Sequence, residues 1–219
     1  MADLTGQARL FADYWQRLPK RSGIADRKDF DVSQLRGIIQ SLVILQLESP
    51  EVVRFRLAGT EEVRRYGYEV TGGNYLDFVP EWRRPAVVQC FRHMLTWPCG
   101  MRVVIRSQTR GGIALHNQAV GFPFRGCDGR VDQLIFQSTD LDRTLTDNAS
   151  NLIEVHEAVT EREFLDLGHG LPSEPLQPSD IAVWQASEAT TQRRTPGRVA
   201  DAEAGRRLQS FLVDSPMAK

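Results

Sequence analysis

The side chains in this sequence that could do chemistry fall into a few short groups. Cys90 and His93 lie one helical turn apart in a stretch with helical periodicity. His116, Asn117 and Gln118 are consecutive in a stretch of strand character, so they alternate in direction. Asn117 then shares a face with Ile113, Leu115 and Ala119, where an amide must find a partner: it either orients a ligand or bonds to backbone. Trp82, with Arg83 and Arg84, and Trp97 near Cys99 have the composition of interaction anchors or of core edges. None of these groups makes a catalytic constellation. The sequence has no Gly-x-Ser-x-Gly elbow, phosphate-binding glycine loop, His-Glu-x-x-His word or Cys-x-x-Cys pair. No catalytic residue and no metal ligand is therefore assigned.

Composition narrows the classes of partner. The 219 residues are 41% apolar and 25% charged, and the formal net charge is -1, which is ordinary for a globular chain. No basic run is long enough to track a phosphate backbone, so neither nucleic acid nor an anionic membrane is an expected partner. No apolar stretch reaches the ~20 residues of a membrane-spanning helix, and Met1–Leu10 does not read as a signal peptide. The three cysteines, Cys90, Cys99 and Cys127, fit free thiols in a reducing cytoplasm, as in a bacterial protein.

The elements that must position these groups follow from periodicity. Leu4, Ala8, Phe11, Trp15 and Leu18 form one helical stripe, ended by Pro19. That stripe packs either onto the chain's own sheet or, through Leu4, Phe11, Trp15 and Leu18, onto a second copy as a dimer seam. After a connector with a short helix near 31–35, Leu42–Glu48 is apolar nearly throughout, as in a central strand, and Val52–Leu57 alternates. Glu61 and Glu62 open a short helix that Gly67 stops. A longer helix runs to Leu95 with Val88, Phe91 and Leu95 inward. His93, about 200° from Phe91 at ~100° per residue, then points outward. Strands at Met101–Gln108, Ile113–Phe122 and Val131–Ser138 are joined by an Arg110-Gly111-Gly112 turn and an Asp128-Gly129 turn.

A hairpin, helices and a three-stranded meander make an α+β domain with a five-stranded antiparallel sheet and helices on one face. The concave side between sheet and helices would take a small molecule. Phe55, Leu76, Phe91 and Ile105 are its candidate lining residues, with Asn117 as the polar group. The expected organisation is a helix and connector over 1–41, the domain over 42–140, a helical extension over 141–170 and a flexible tail over 171–219. The extension is read as a helix from Leu152, Val155 and Val159.

The words at the turns and caps resemble the short, often stand-alone PAS proteins of alphaproteobacteria, a branch of the PAS superfamily mostly of unknown function. They are Tyr14-Trp15, Arg56-Leu57-Ala58-Gly59-Thr60, Tyr66-Gly67, Thr71-Gly72, Tyr75-Leu76 and Gly129-Arg130-Val131-Asp132. The resemblance covers residues 11–140 and implies a sensory or protein-interaction module, commonly dimeric and without enzymatic activity. Its expected partners are a second copy, a signalling protein and a small ligand. Light-sensing flavin relatives carry an Asn-Cys-Arg-Phe word, which is Gln89-Cys90-Phe91-Arg92 here, so a photoactive adduct is not expected. No cofactor is assigned. Non-covalent flavin stays open, as does haem held by a pocket histidine, although His93 points the wrong way. The alternatives to an interaction module are a small-molecule or haem sensor with a filled pocket, and a cryptic enzyme using the same cavity.

Overall fold

The computed structural model describes Leu4, residues 6–141 and residues 152–172. Helix α1, Gly6–Arg17, carries the stripe read from the sequence. Its last carbonyls are collected by one cation: Lys20 Nζ donates to the carbonyls of Trp15 (2.9 Å), Gln16 (2.8 Å) and Leu18 (3.0 Å). A small hairpin follows, β1 (Lys20–Arg21) and β2 (Ile24–Asp26). The helix expected near 31–35 is a single 3-10 turn, Val32–Leu35, capped by the Asp31 carboxylate, which accepts from the Ser33 N–H.

The next elements are β3 (Leu42–Ser49), β4 (Val52–Ala58) and α2 (Thr60–Tyr66). Gly67 ends α2 at φ +79°, where a side chain would be strained and would also strike Leu152. Two 3-10 turns, Tyr75–Phe78 and Glu81–Arg83, lead into α3 (Arg84–Thr96), which tolerates Pro85 in its first turn. Asn74 fixes the first of these turns. Its Oδ1 accepts from the N–H groups of Val53 (2.9 Å) and Leu76 (3.2 Å). Strands β5 (Cys99–Thr109), β6 (Ala114–Arg125) and β7 (Val131–Asp140) complete the predicted meander.

These strands form the expected antiparallel sheet in the order β4-β3-β7-β6-β5. Two additions lengthen it. β2 joins β6 in parallel at Ala25↔Phe124, and β8 (Ile153–Asp166) pairs antiparallel with β5. The helical extension expected over 141–170 is therefore corrected over its described part: residues 153–166 are a strand. Within β8, 14 residues pair against 11 of β5, the difference being three bulges, at Val104/Ile105, Arg106/Gln108 and Gln108/Thr109. Each bulge inserts a residue and turns the alternation by one. Of the residues behind the helix expectation, Leu152 and Val155 are only partly buried, while Ile153, His156, Ala158 and Val159 are buried. The tail expected over 171–219 lies outside the described residues from 173 onward.

The sheet is covered on both faces, which explains the unbroken apolar run of β3. Val43 and Leu45 enter one core with α2 and α3, while Leu42 and Ile44 enter a second core with α1. Phe11 is 0% and Trp15 1% exposed. Trp15 stacks on Phe122 of β6 at 4.7 Å between centroids, and Phe11 packs on the same ring at 5.5 Å. Leu4 is buried with them, and Leu18 is partly buried against the same core. The dimer seam expected from Leu4, Phe11, Trp15 and Leu18 is corrected accordingly. Leu4, Phe11 and Trp15 are buried by the chain's own sheet and present no surface to a second copy, and Leu18 is partly covered by the same core.

Candidate functional site

A cavity of about 80 Å³ lies between the inner face of the sheet and α2, α3 and the two 3-10 turns. Four of the five expected lining residues are there: Phe55 on β4, Phe91 on α3, Ile105 on β5 and Asn117 on β6. Leu76 is corrected. It is buried in the adjoining core and borders a surface groove beside α3. His93 borders that groove too, its ring 6.4 Å from Phe164, so it faces away from the cavity and is not placed to ligate a group inside it.

The polar side of the wall was mostly missed by sequence reasoning. Asn117 Nδ2 donates to Ser138 Oγ at 3.2 Å, so its partner is a side chain and not the backbone. Ser138 Oγ also accepts from Arg65 Nη1 at 2.9 Å. Arg65, in the last turn of α2, holds Asp140 through Nε at 2.8 Å and pairs closely with Glu62 through Nη1. Burial raises the Glu62 carboxyl above its usual range, and the Arg65 guanidinium opposes that rise. Glu62 and Ser138 both line the cavity, so this buried network forms one of its walls.

A further part of the wall comes from β8. His156 is 4% exposed, with Nε2 2.8 Å from the Tyr66 hydroxyl and Nδ1 2.8 Å from Ser107 Oγ. Its ring stacks on Tyr75 at 5.5 Å, and its backbone carbonyl accepts from Arg83 Nη1. Burial lowers its pKa to about 3, with Arg83 and Arg65 adding positive charge nearby. The imidazole is neutral at ordinary pH, one nitrogen donating and the other accepting. In the unfolded chain the group titrates near its usual 6.5. Its stabilising effect is complete above that value and is lost as pH falls toward 3. Unfolding titrations should show wild type losing about 2 kcal/mol between pH 7 and pH 5 relative to His156→Gln. Equal slopes for the two proteins would refute the assignment.

Arg83 is 2% exposed at the end of its 3-10 turn, and Arg162 of β8 lines the same cavity. The neighbouring Trp82 is 51% exposed. Of the Trp82-Arg83-Arg84 word, the arginine in the middle therefore turns inward. Cys90 lines the cavity as a buried thiol outside any disulfide. Among the described residues no cluster of His, Cys, Asp and Glu could hold a metal ion, and no helix is long and apolar enough to cross a membrane.

Comparison with known proteins decides the family. Residues 5–135 match the PAS domain family, which is more than half of the chain. The chain belongs to the PAS domain family. A search of curated proteins gave no match. Among solved structures, the Rhodobacter sphaeroides LOV protein is similar at 19% identity and a TM-score of 0.38, covering 52% of this chain and 70% of its own. A light-oxygen-voltage domain studied with a flavin analogue is 21% identical at a TM-score of 0.39, covering 51% of this chain and 84% of its own. Vibrio cholerae VqmA, a DNA-binding receptor, is 17% identical at a TM-score of 0.40, covering 52% of this chain and 53% of its own.

Proposed function

We propose that this PAS protein is a sensory module that holds a small ligand in its internal cavity and reports occupancy through β8 to a protein partner. The observation that carries this reading is the cavity wall. A core built for stability alone fills such a space with apolar atoms, because voids and buried polar groups both cost free energy. Here the space is kept and is edged by Asn117, Ser138, Glu62 and His156. At about 80 Å³ it holds several waters or a compact organic molecule, where sites for drug-sized ligands need roughly 300–1,000 Å³. Haem and flavin do not fit that space as it stands. The route outward is short, because Arg83 on the wall bonds directly to the backbone of β8 at His156.

A catalytic use of the cavity is the weaker reading. His156 has both ring nitrogens engaged and a pKa near 3, a poor match for a general base at neutral pH. A cytoplasmic location and a dimer belong to the proposal as well. The dimer would use surfaces other than the α1 stripe, which the sheet already covers.

Native mass spectrometry of freshly purified protein, followed by hydrogen exchange with and without its ligand, tests the reading. The expected result is a small-molecule adduct, with slower exchange across Ile153–Asp166 when it is present. Bare chain in every preparation, with exchange of β8 indifferent to added small molecules, would overturn it.

A further inference from the structure

We propose that the cavity selects a small neutral molecule with an N–H or O–H donor, bonded to Asn117 Oδ1, and a compact apolar body. This rests on the ligand reading above and gives the ligand its chemical class. Asn117 is 8% exposed, on β6, where it lines the cavity. One end of its amide is fixed from within the protein. Ser138 Oγ accepts from Arg65 Nη1 and from Asn117 Nδ2, and its own hydroxyl proton is directed to Glu62. Ser138 therefore offers Asn117 an acceptor only, which turns the Nδ2 end of the amide toward β7 and the Oδ1 end away. Oδ1 has no hydrogen-bond partner among the described residues, and its neighbours do not seal it off. An amide oxygen so placed accepts from whatever enters the space that Asn117 lines.

The rest of the wall sets the charge and the body of the ligand. Its charged side chains are already engaged: Glu62 is bonded to Arg65, Arg83 serves the His156 carbonyl, and Arg162 has interactions of its own. The ring nitrogens of His156 are held by Tyr66 and Ser107. An ion entering here would give up its hydration without a counter-charge in return, which favours a neutral molecule. Around the amide the lining is apolar. Ile105 is the β5 partner of Asn117, and Ala119 lies two residues along the same strand. Phe91 and Phe136 follow, 5.8 Å apart between centroids. The small volume restricts the apolar body to a few carbons or one small ring.

Calorimetric titration with matched probes tests this. Pyrrole is set against furan, which lacks the N–H, and isobutyramide against 3-methyl-2-butanone and isobutyrate. Pyrrole and isobutyramide are expected to bind about tenfold or more tightly than their counterparts, since a molecule without a donor leaves Oδ1 unpaired. Asn117→Leu should remove the pyrrole-over-furan preference. Ala119→Leu keeps the amide but fills the space beside it, and should weaken every probe about tenfold or more. Circular dichroism melts establish that each variant folds, and the wild-type comparisons decide the matter if Asn117→Leu does not. Furan and the ketone binding as well as the donors would overturn the donor requirement, and isobutyrate binding more tightly than its amide would overturn neutrality. A preference that survives Asn117→Leu, or probe binding unchanged by Ala119→Leu, would overturn the placement. A charged or donor-free occupant in native mass spectrometry would overturn the class and leave the sensory reading intact. An empty panel with bare chain in the spectrometer would overturn both.

Discussion

Replacing Arg65 with methionine is expected to destabilise the fold by about 3–5 kcal/mol, read from urea unfolding followed by circular dichroism. The guanidinium is 6% exposed and joins three groups, Glu62 on its own helix and Ser138 and Asp140 on β7. Methionine fills much of the space and takes away the charge that compensates a fully buried carboxyl. Glu62 must then take up a proton or stay ionised without its partner, and either costs free energy. The double variant Arg65→Met with Glu62→Leu should recover most of the loss, since an apolar pair of similar volume removes the uncompensated carboxyl. Arg65 Nη2 is itself buried without a hydrogen-bond partner, so the ion pair carries a cost that the double variant also relieves. A single-variant loss under 1 kcal/mol would show that the network contributes little to stability.

The second large effect is at Trp15. Truncation to alanine should cost about 3–5 kcal/mol, as for other large core side chains. The indole is 1% exposed, stacked on Phe122, and held from the other side by the Lys20 ammonium 4.3 Å from the ring centroid. The measured change should be in the midpoint of unfolding and not in the mass of the folded species by analytical ultracentrifugation. Trp15→Asp separates the two roles more sharply: it should unfold the protein, where a seam residue would leave a folded monomer. A stable, folded Trp15→Asp monomer from a wild-type dimer would restore the seam.

Much of this was legible before any coordinates, for reasons that can be named. Gly67 and the Asp128-Gly129 turn fixed element ends because their backbone conformations suit glycine, with φ of +79° and +84° at the two glycines. The unbroken apolar run of Leu42–Leu45 announced a central strand because such a strand is buried on both faces. The cavity was foreseen at Phe55, Phe91, Ile105 and Asn117 because alternation and helical phase place those residues inward. The same reasoning failed on β8. Its three register shifts break the strict alternation by which a strand is read, and the apolar residues Leu152, Val155 and Val159 happen to fall at helical spacing. With β8 went His156 and Arg162. Arg83 was hidden differently, because an arginine between an exposed tryptophan and another arginine reads as surface until the 3-10 turn is known. The stripe of α1 showed truthfully that something must cover it, but periodicity cannot say whether the cover is the same chain.

The late position of β8 in the chain has a consequence for how the protein comes into being. During synthesis the five-stranded PAS core leaves the ribosome before Ile153–Asp166 does, and pairing with β5 must then span more than forty residues of chain. The cavity is thus finished last, when His156, Val159 and Arg162 arrive to close a wall that until then is open along the β5 edge. A fragment cut at the boundary of the family match, residue 135, would also lose Ser138 and the Asp140 anchor of Arg65. Such a fragment would carry the recognisable signature of the family without the residues that close its chamber.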